Sequence, residues 1–194
     1  LKCSMVNKMP GYQVDKYANL RTGYTYMFGH SGKKLLFMGQ EFGQEREWSE
    51  ERELDWFLLQ EPLNKGMQEY VKELLNLYRK NPAMYEVDRD WSGFEWINCD
   101  DCDRSIYSFM RKSKDGKKKL LFVLNMTPIM RENFEVGVPT KKKCKLVLNS
   151  DEVRFGGNGN EIPANITPTE EECDKLPYRI KFNLAPFSAA VFEI

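Results

Sequence analysis

The chain has 194 residues and 41% hydrophobic content, enough for one large or two small domains with a proper core. Lysine plus arginine and aspartate plus glutamate both number 29, and the balance holds in each half, so there is no basic field to hold nucleic acid or a polyphosphate. No apolar window reaches the length of a membrane span, and the opening LKCSMVNKMP lacks the layout of a secretion signal; a soluble, cytoplasmic protein with no membrane partner is expected.

The first element is read from GYQVDKYANLRTGYTYMFGHSG. Apolar residues recur at Val14, Tyr17, Leu20, Tyr24 and Met27 or Phe28, and Gly29 and Gly32 stand where a helix would stop. Residues 33–38 follow, apolar on both faces, the pattern of a parallel strand covered from both sides. A long polar connection runs to about Lys65. After it Met67, Tyr70, Val71, Leu74, Leu75 and Tyr78 form one stripe, and Asn81-Pro82 ends a second helix.

From Tyr85 the period changes from 3.6 to 2. Seven short runs, FEWIN, SIYSFMR, KLLFVLN, NFEVGV, CKLVLN, YRIKFNL and AAVFEI, are separated by turn signals with no helix between them, which predicts an all-β antiparallel sandwich. The domain boundary is expected at 84/85. Residues 1–84 pose a problem, because a lone apolar strand between two helices cannot satisfy its own backbone groups. The chain also opens on Leu1, as an excised piece would. The fold expected is therefore the C-terminal α/β remnant of a (β/α)8 barrel, followed over 85–194 by the sandwich. In such barrels the loop after a strand faces substrate, which singles out residues 39–56.

Five cysteines suit free thiols better than a disulfide framework. Cys99 and Cys102 form a CxxC among Asp100, Asp101 and Asp103, and it reads as a hairpin turn. With His30 the only histidine, no metal site and no cofactor are expected.

KMPG at 8–11, KYANLR at 16–21, GKKLLFMGQEFGQEREW at 32–48 and ELDWFLL at 53–59 resemble, in order, the C-terminal portion of the bacterial-type 1,4-alpha-glucan (glycogen) branching enzymes of the alpha-amylase superfamily. FEWI, NMTP, VLNSD with its trailing FGGNG, and the closing LAPFSAAVFEI continue the likeness, which covers essentially the whole chain. The resemblance implies a glycosyltransferase of glycogen biosynthesis that cuts an α-1,4-glucan, holds the cut chain covalently and passes it to a sugar 6-hydroxyl, making an α-1,6 branch. Such retention uses two carboxyl groups about 5 Å apart. In the family these belong to barrel strands upstream of Lys2, so no catalytic residue is expected here and the chain alone is expected to be inactive. Alternatives are a debranching or trehalose-releasing hydrolase of the same superfamily, or a purely structural or glucan-binding module.

The residues assigned to substrate are Gln40, Glu41, Arg46 and Trp48. Glu41 stands at the strand end, where a carboxylate could bond sugar hydroxyls or instead pair with Arg46. The Trp48 and Trp56 indoles could stack on a pyranose or pack the loop. Asp55 is read as a turn cap, the run EREWSEERE as solvated surface, and His30 as a capping or packing residue. Trp91, Phe94, Trp96 and Tyr107 could form a glucan plate, although core packing is the commoner fate of aromatics at strand spacing. The partner expected is α-glucan, and self-association is expected through barrel elements left uncovered.

Overall fold

The computed structural model describes residues 3–194, so Leu1 and the reading drawn from it lie outside the described residues. A short 3-10 turn, Val6–Lys8, leads into helix α1, Gln13–Gly29, and helix α2 spans Pro62–Lys80 with Pro62 in its first turn. Eight strands follow: β1 Phe94–Asn98, β2 Ile106–Lys112, β3 Lys119–Asn125, β4 Arg131–Val138, β5 Cys144–Asn149, β6 Asn165–Ile166, β7 Tyr178–Leu184 and β8 Ser188–Glu193. The seven runs read from period 2 are all strands. The eighth, β6, has two residues, too few to show a period.

The strands form a six-stranded antiparallel sheet in the order β1-β2-β3-β8-β5-β6 and a separate antiparallel pair, β4-β7. The large sheet is the middle of three layers. Along β3, Leu120, Phe122 and Leu124 join the cluster that includes Tyr17, Leu20, Met67 and Tyr70 of the helices, whereas Leu121 and Val123 join Phe134, Val136, Ile180 and Phe182 of the β4-β7 pair. In β8, Ala189 and Val191 face the helices and Ala190 and Phe192 face the pair. That is why KLLFVLN and AAVF are apolar on both faces while β7 alternates cleanly.

The helices and the large sheet thus share one core. Ala83 and Met84, just before the change of period, are fully buried in it. Phe94, Phe109 and Phe122 run across β1, β2 and β3 as a stacked row with centroids 5.1 and 4.9 Å apart, and the His30 ring lies 5.0 Å from Phe94. His30 is therefore a packing residue. Two arginines fasten helix to sheet: Arg21 of α1 and Arg111 of β2 are both essentially inaccessible and donate to carbonyls of the other layer.

Two expectations need correction. Residues 33–38 form no strand; the segment is unpaired, with Leu35 74% and Phe37 45% exposed and only Leu36 against the core. Its physical reason is the one already named, that no neighbouring strand is there to complete a ladder. Val14, placed on the buried stripe of α1, is exposed, and so is Leu75 of α2. Helix α1 also buries Arg21, Thr22 and Thr25, polar positions the sequence reading did not address, between α2 and the sheet.

Candidate functional site

The unpaired segment ends in a sharp reversal at Met38 and Gly39, both at positive φ, and a 3-10 turn, Gln40–Phe42, lies between Gly39 and Gly43. Both glycines are needed. A Cβ at Gly39 would sit 2.9 Å from the Gln44 side chain, and one at Gly43 would sit 2.8 Å from the Tyr17 ring.

The loop is then held from four sides. Tyr24 of α1 donates its hydroxyl to the Gln40 carbonyl at 2.9 Å, and Tyr17 donates to the Gly43 carbonyl at 3.2 Å. Asn64 of α2, buried, gives its amide to the carbonyls of Phe42 and Gly43 at 2.9 and 3.1 Å. The buried Gln44 accepts from the backbone amide of Asp55 at 2.9 Å and so ties the two ends of the loop together. Ser4 and Asn7 donate to the Glu45 carbonyl at 2.8 and 2.6 Å, while the Gln13 amide reaches the Glu45 carboxylate at 3.1 Å. Burial raises the phenols of Tyr17 and Tyr24 far above their ordinary pKa, with Glu45 and Glu41 respectively adding to the rise, so both remain hydrogen-bond donors at any physiological pH.

Between this loop and the Val6–Lys8 turn lies a cavity of about 180 Å³. Gln40, Arg46 and Trp48 line it, as does Glu47, one of whose carboxylate oxygens is buried without a partner; Glu41 does not. Three of the four residues assigned to substrate are therefore brought together and the fourth stands aside. The cavity is below the size of a complete ligand pocket. Trp48 packs edge-on against Phe37 with centroids 5.2 Å apart, yet remains 45% exposed, so a flank of the indole is still available. The Trp56 ring lies 5.2 Å from that of Phe42.

Arg46 pairs with Asp55 rather than Glu41. Asp55 stands at the start of a 3-10 turn, Trp56–Gln60, but its side chain makes no cap. The acidic run is not all solvated: Glu47 is half-buried with one carboxylate oxygen enclosed, whereas Glu45 is exposed and held by Gln13. Gln44 and Asn64 were not singled out from the sequence, because a buried amide is legible only once its backbone partners are known. In the sandwich Phe94 is buried, Trp96 and Tyr107 pack against the core and Trp91 is 80% exposed, so the four make no common plate. Among the described residues no three histidine, cysteine, aspartate or glutamate side chains gather where a metal could sit, and no helix is long and apolar enough to cross a membrane.

A family model for the alpha amylase C-terminal all-beta domain matches residues 96–194. The chain belongs to that family. The matched span is β1 from Trp96 onward through β8, which is the large sheet together with the β4-β7 pair. Over 192 residues the chain is 62% identical to the 1,4-alpha-glucan branching enzyme GlgB of Butyrivibrio fibrisolvens, an alignment covering 99% of this chain and 30% of that protein. The corresponding enzyme of Halothermothrix orenii is 46% identical over 192 residues with the same coverage. The chain thus spans about a third of the length of these relatives.

Among solved structures, AmyP in complex with maltose aligns with a TM-score of 0.63 at 12% identity, over 92% of this chain and 35% of that one. An alpha-amylase from H. orenii gives 0.56 at 18% identity with the same coverage. At such identities the likeness is one of fold. It extends beyond the all-beta domain into α1 and α2.

Proposed function

We propose that this chain is the carboxyl-terminal portion of a 1,4-alpha-glucan branching enzyme acting in cytoplasmic glycogen synthesis. The observation that carries the reading is 62% identity along virtually the whole chain to a protein of that name. The parent cuts an α-1,4-glucan with retention and transfers the cut chain to a 6-hydroxyl, using carboxylates carried by the remainder of the protein. Here α1, the unpaired segment and α2 are the last helix-strand-helix of its (β/α)8 barrel. The exposure of Leu35 and Phe37 supports this, since both would lie on one face of a barrel strand and be covered by the layer packed on that face.

In this reading the cavity beside Gln40 is the rim of the active site. Gln40 and Arg46 position glucan hydroxyls and Trp48 offers its open flank to a pyranose, while Glu41, outside the cavity, meets substrate only beyond this edge. Alone, the 194-residue chain is a binding and support module without catalysis. Its uncovered apolar residues, including Leu35, Phe37 and Phe57, pair with a second copy, an association that analytical ultracentrifugation would detect. Iodine staining of amylose tests the division of labour. Incubation with the chain alone leaves the absorbance at the level of a protein-free control, and a fall below it would contradict the assignment of chemistry to the missing part.

A further inference from the structure

A second cavity, of about 490 Å³, lies in the sandwich and shares no residue with the one beside Gln40. It sits between β2 of the large sheet and β4 of the pair, bordered by the β1–β2 connection and by the segment that leads into β7. Its volume is that of a small-molecule site, and Ile106, Met130 and Phe134 give it apolar surface.

The backbone is bent to make it. Residues 130–135 all line the cavity, whereas a regular strand turns alternate side chains away. A register shift in β4 between Arg131 and Phe134, with Asn133 at φ 51°, brings them together. Ser105 and Asp174, at the other borders, are also left-handed, at φ 49° and 50°. Non-glycine residues carry strain in that region, and here three of them surround one space.

The charges on the cavity are unevenly matched. Arg104 pairs with Asp101 at 2.6 Å and lies 5.5 Å from the centre of the Phe134 ring. Glu135 is held by Arg179 and Lys181 at 2.9 Å each, and Asp174 accepts from the Asn98 amide at 2.9 Å and the Gly137 backbone at 3.0 Å. Arg131 differs. Among the described residues it pairs with no carboxylate. Its Nη2 has only the Arg104 carbonyl at 3.2 Å and the Thr127 hydroxyl at 3.4 Å, and its Nε is enclosed without a partner. A half-buried guanidinium so poorly answered is costly to keep, and an anion at its fork would supply what the fold does not.

We infer that this cavity binds a small organic monoacid, its carboxylate on Arg131 and its apolar body against Ile106, Met130 and Phe134. The ligand carries one negative charge because Asp101, Glu132, Glu135 and Asp174 face the same space and would repel a second. The site needs nothing from the branching-enzyme reading and stands or falls without it.

Two-dimensional NMR titration of the 194-residue chain tests this with three probes of similar size: 4-methylpentanoate, its uncharged amide, and the diacid 3-methylglutarate. The monoacid should bind with a Kd of about 1 mM and move the backbone signals of Ile106, Ser108 and Phe134, with the amide and the diacid each about tenfold weaker or worse. Arg131→Gln, in a chain whose spectrum stays dispersed, should weaken the monoacid about tenfold, and Arg131→Lys should fall between. Equal affinity for acid and amide, a diacid that binds more tightly than the monoacid, or no binding up to about 20 mM overturns the site. So does wild-type affinity in folded Arg131→Gln, or a response confined to the residues beside Gln40. If Arg131→Gln does not fold, the comparison of the three probes on the wild type decides.

Discussion

Arg21, midway along α1, donates from Nε to the carbonyl of Ser150 at 2.8 Å, across 129 residues of sequence. Its Nη1 reaches the Phe155 carbonyl at 2.9 Å, and the side chain is buried. One guanidinium therefore closes the backbone of the β5–β6 connection onto the helix layer. Replacing it with Met would leave two buried carbonyls without donors, at a cost of about 3 kcal/mol. Urea unfolding of Arg21→Met measures this, and a loss below about 0.5 kcal/mol would mean that the pin is dispensable. Arg21→Lys, which keeps charge but not the fork, should fall between the two.

Arg111 is the matching pin at the other end of α1, and it involves a carboxylate. Its Nη1 donates to the Gly29 carbonyl at 2.8 Å and its Nη2 to Asp88 at 2.9 Å, while Lys33 reaches the same carboxylate at 3.1 Å. Burial alone would raise the Asp88 carboxyl, but the hydrogen bonds from Lys33 and Arg111 outweigh it and hold the group below the ordinary carboxylate range. A depressed folded-state pKa means stability that is complete above the unfolded value, near 4, and is lost as pH falls toward the folded one. Thermal unfolding of the wild type should show this loss as the pH is lowered below about 4. Asp88→Asn should be less stable at pH 7 and less sensitive to acid over that window. An equal slope in the two proteins would remove Asp88 from the account.

Two glycines on the helices give opposite outcomes for one substitution. Gly23 in α1 has nothing within 4 Å of where a Cβ would stand, so Gly23→Ala should stabilise by about 0.5–1 kcal/mol through helix propensity. Gly66 in α2 faces the backbone of Phe155, where a Cβ would come within 2.6 Å of the carbonyl carbon. Gly66→Ala should destabilise by about 1–3 kcal/mol, because backbone on the far side cannot rotate away as a side chain could. Denaturant midpoints for the pair check both signs.

The sequence made the seven longer strands legible because their side-chain period survives whichever layer covers them. Phe122 and Val123 are apolar for different reasons, one facing helices and the other the β4-β7 pair, and the run announces only that both are buried. The same signal misled at 33–38. Leu35 and Phe37 are written for burial, but burial of a strand needs neighbours that period cannot supply. Buried polar residues were the other blind spot. Arg21 and Asn64 sit on helices where a polar residue reads as solvated, and their partners are backbone carbonyls of Ser150 and Phe42, invisible in any local window. At the candidate site Gln40, Arg46 and Trp48 were singled out because amides, a guanidinium and an indole after an apolar run have chemical meaning, and the fold brings the three to one cavity. The Arg46–Asp55 pairing was missed because it depends on how Gln44 folds the loop back on itself.

The central claim is that this chain completes a branching enzyme, and exchange into a whole one tests it most directly. The matching 192-residue portion of the Butyrivibrio fibrisolvens protein would be replaced by this chain, and α-1,6 linkages formed from amylose counted after debranching. The account predicts a branching rate within about tenfold of the unexchanged protein. A folded hybrid that forms no α-1,6 linkages would contradict it.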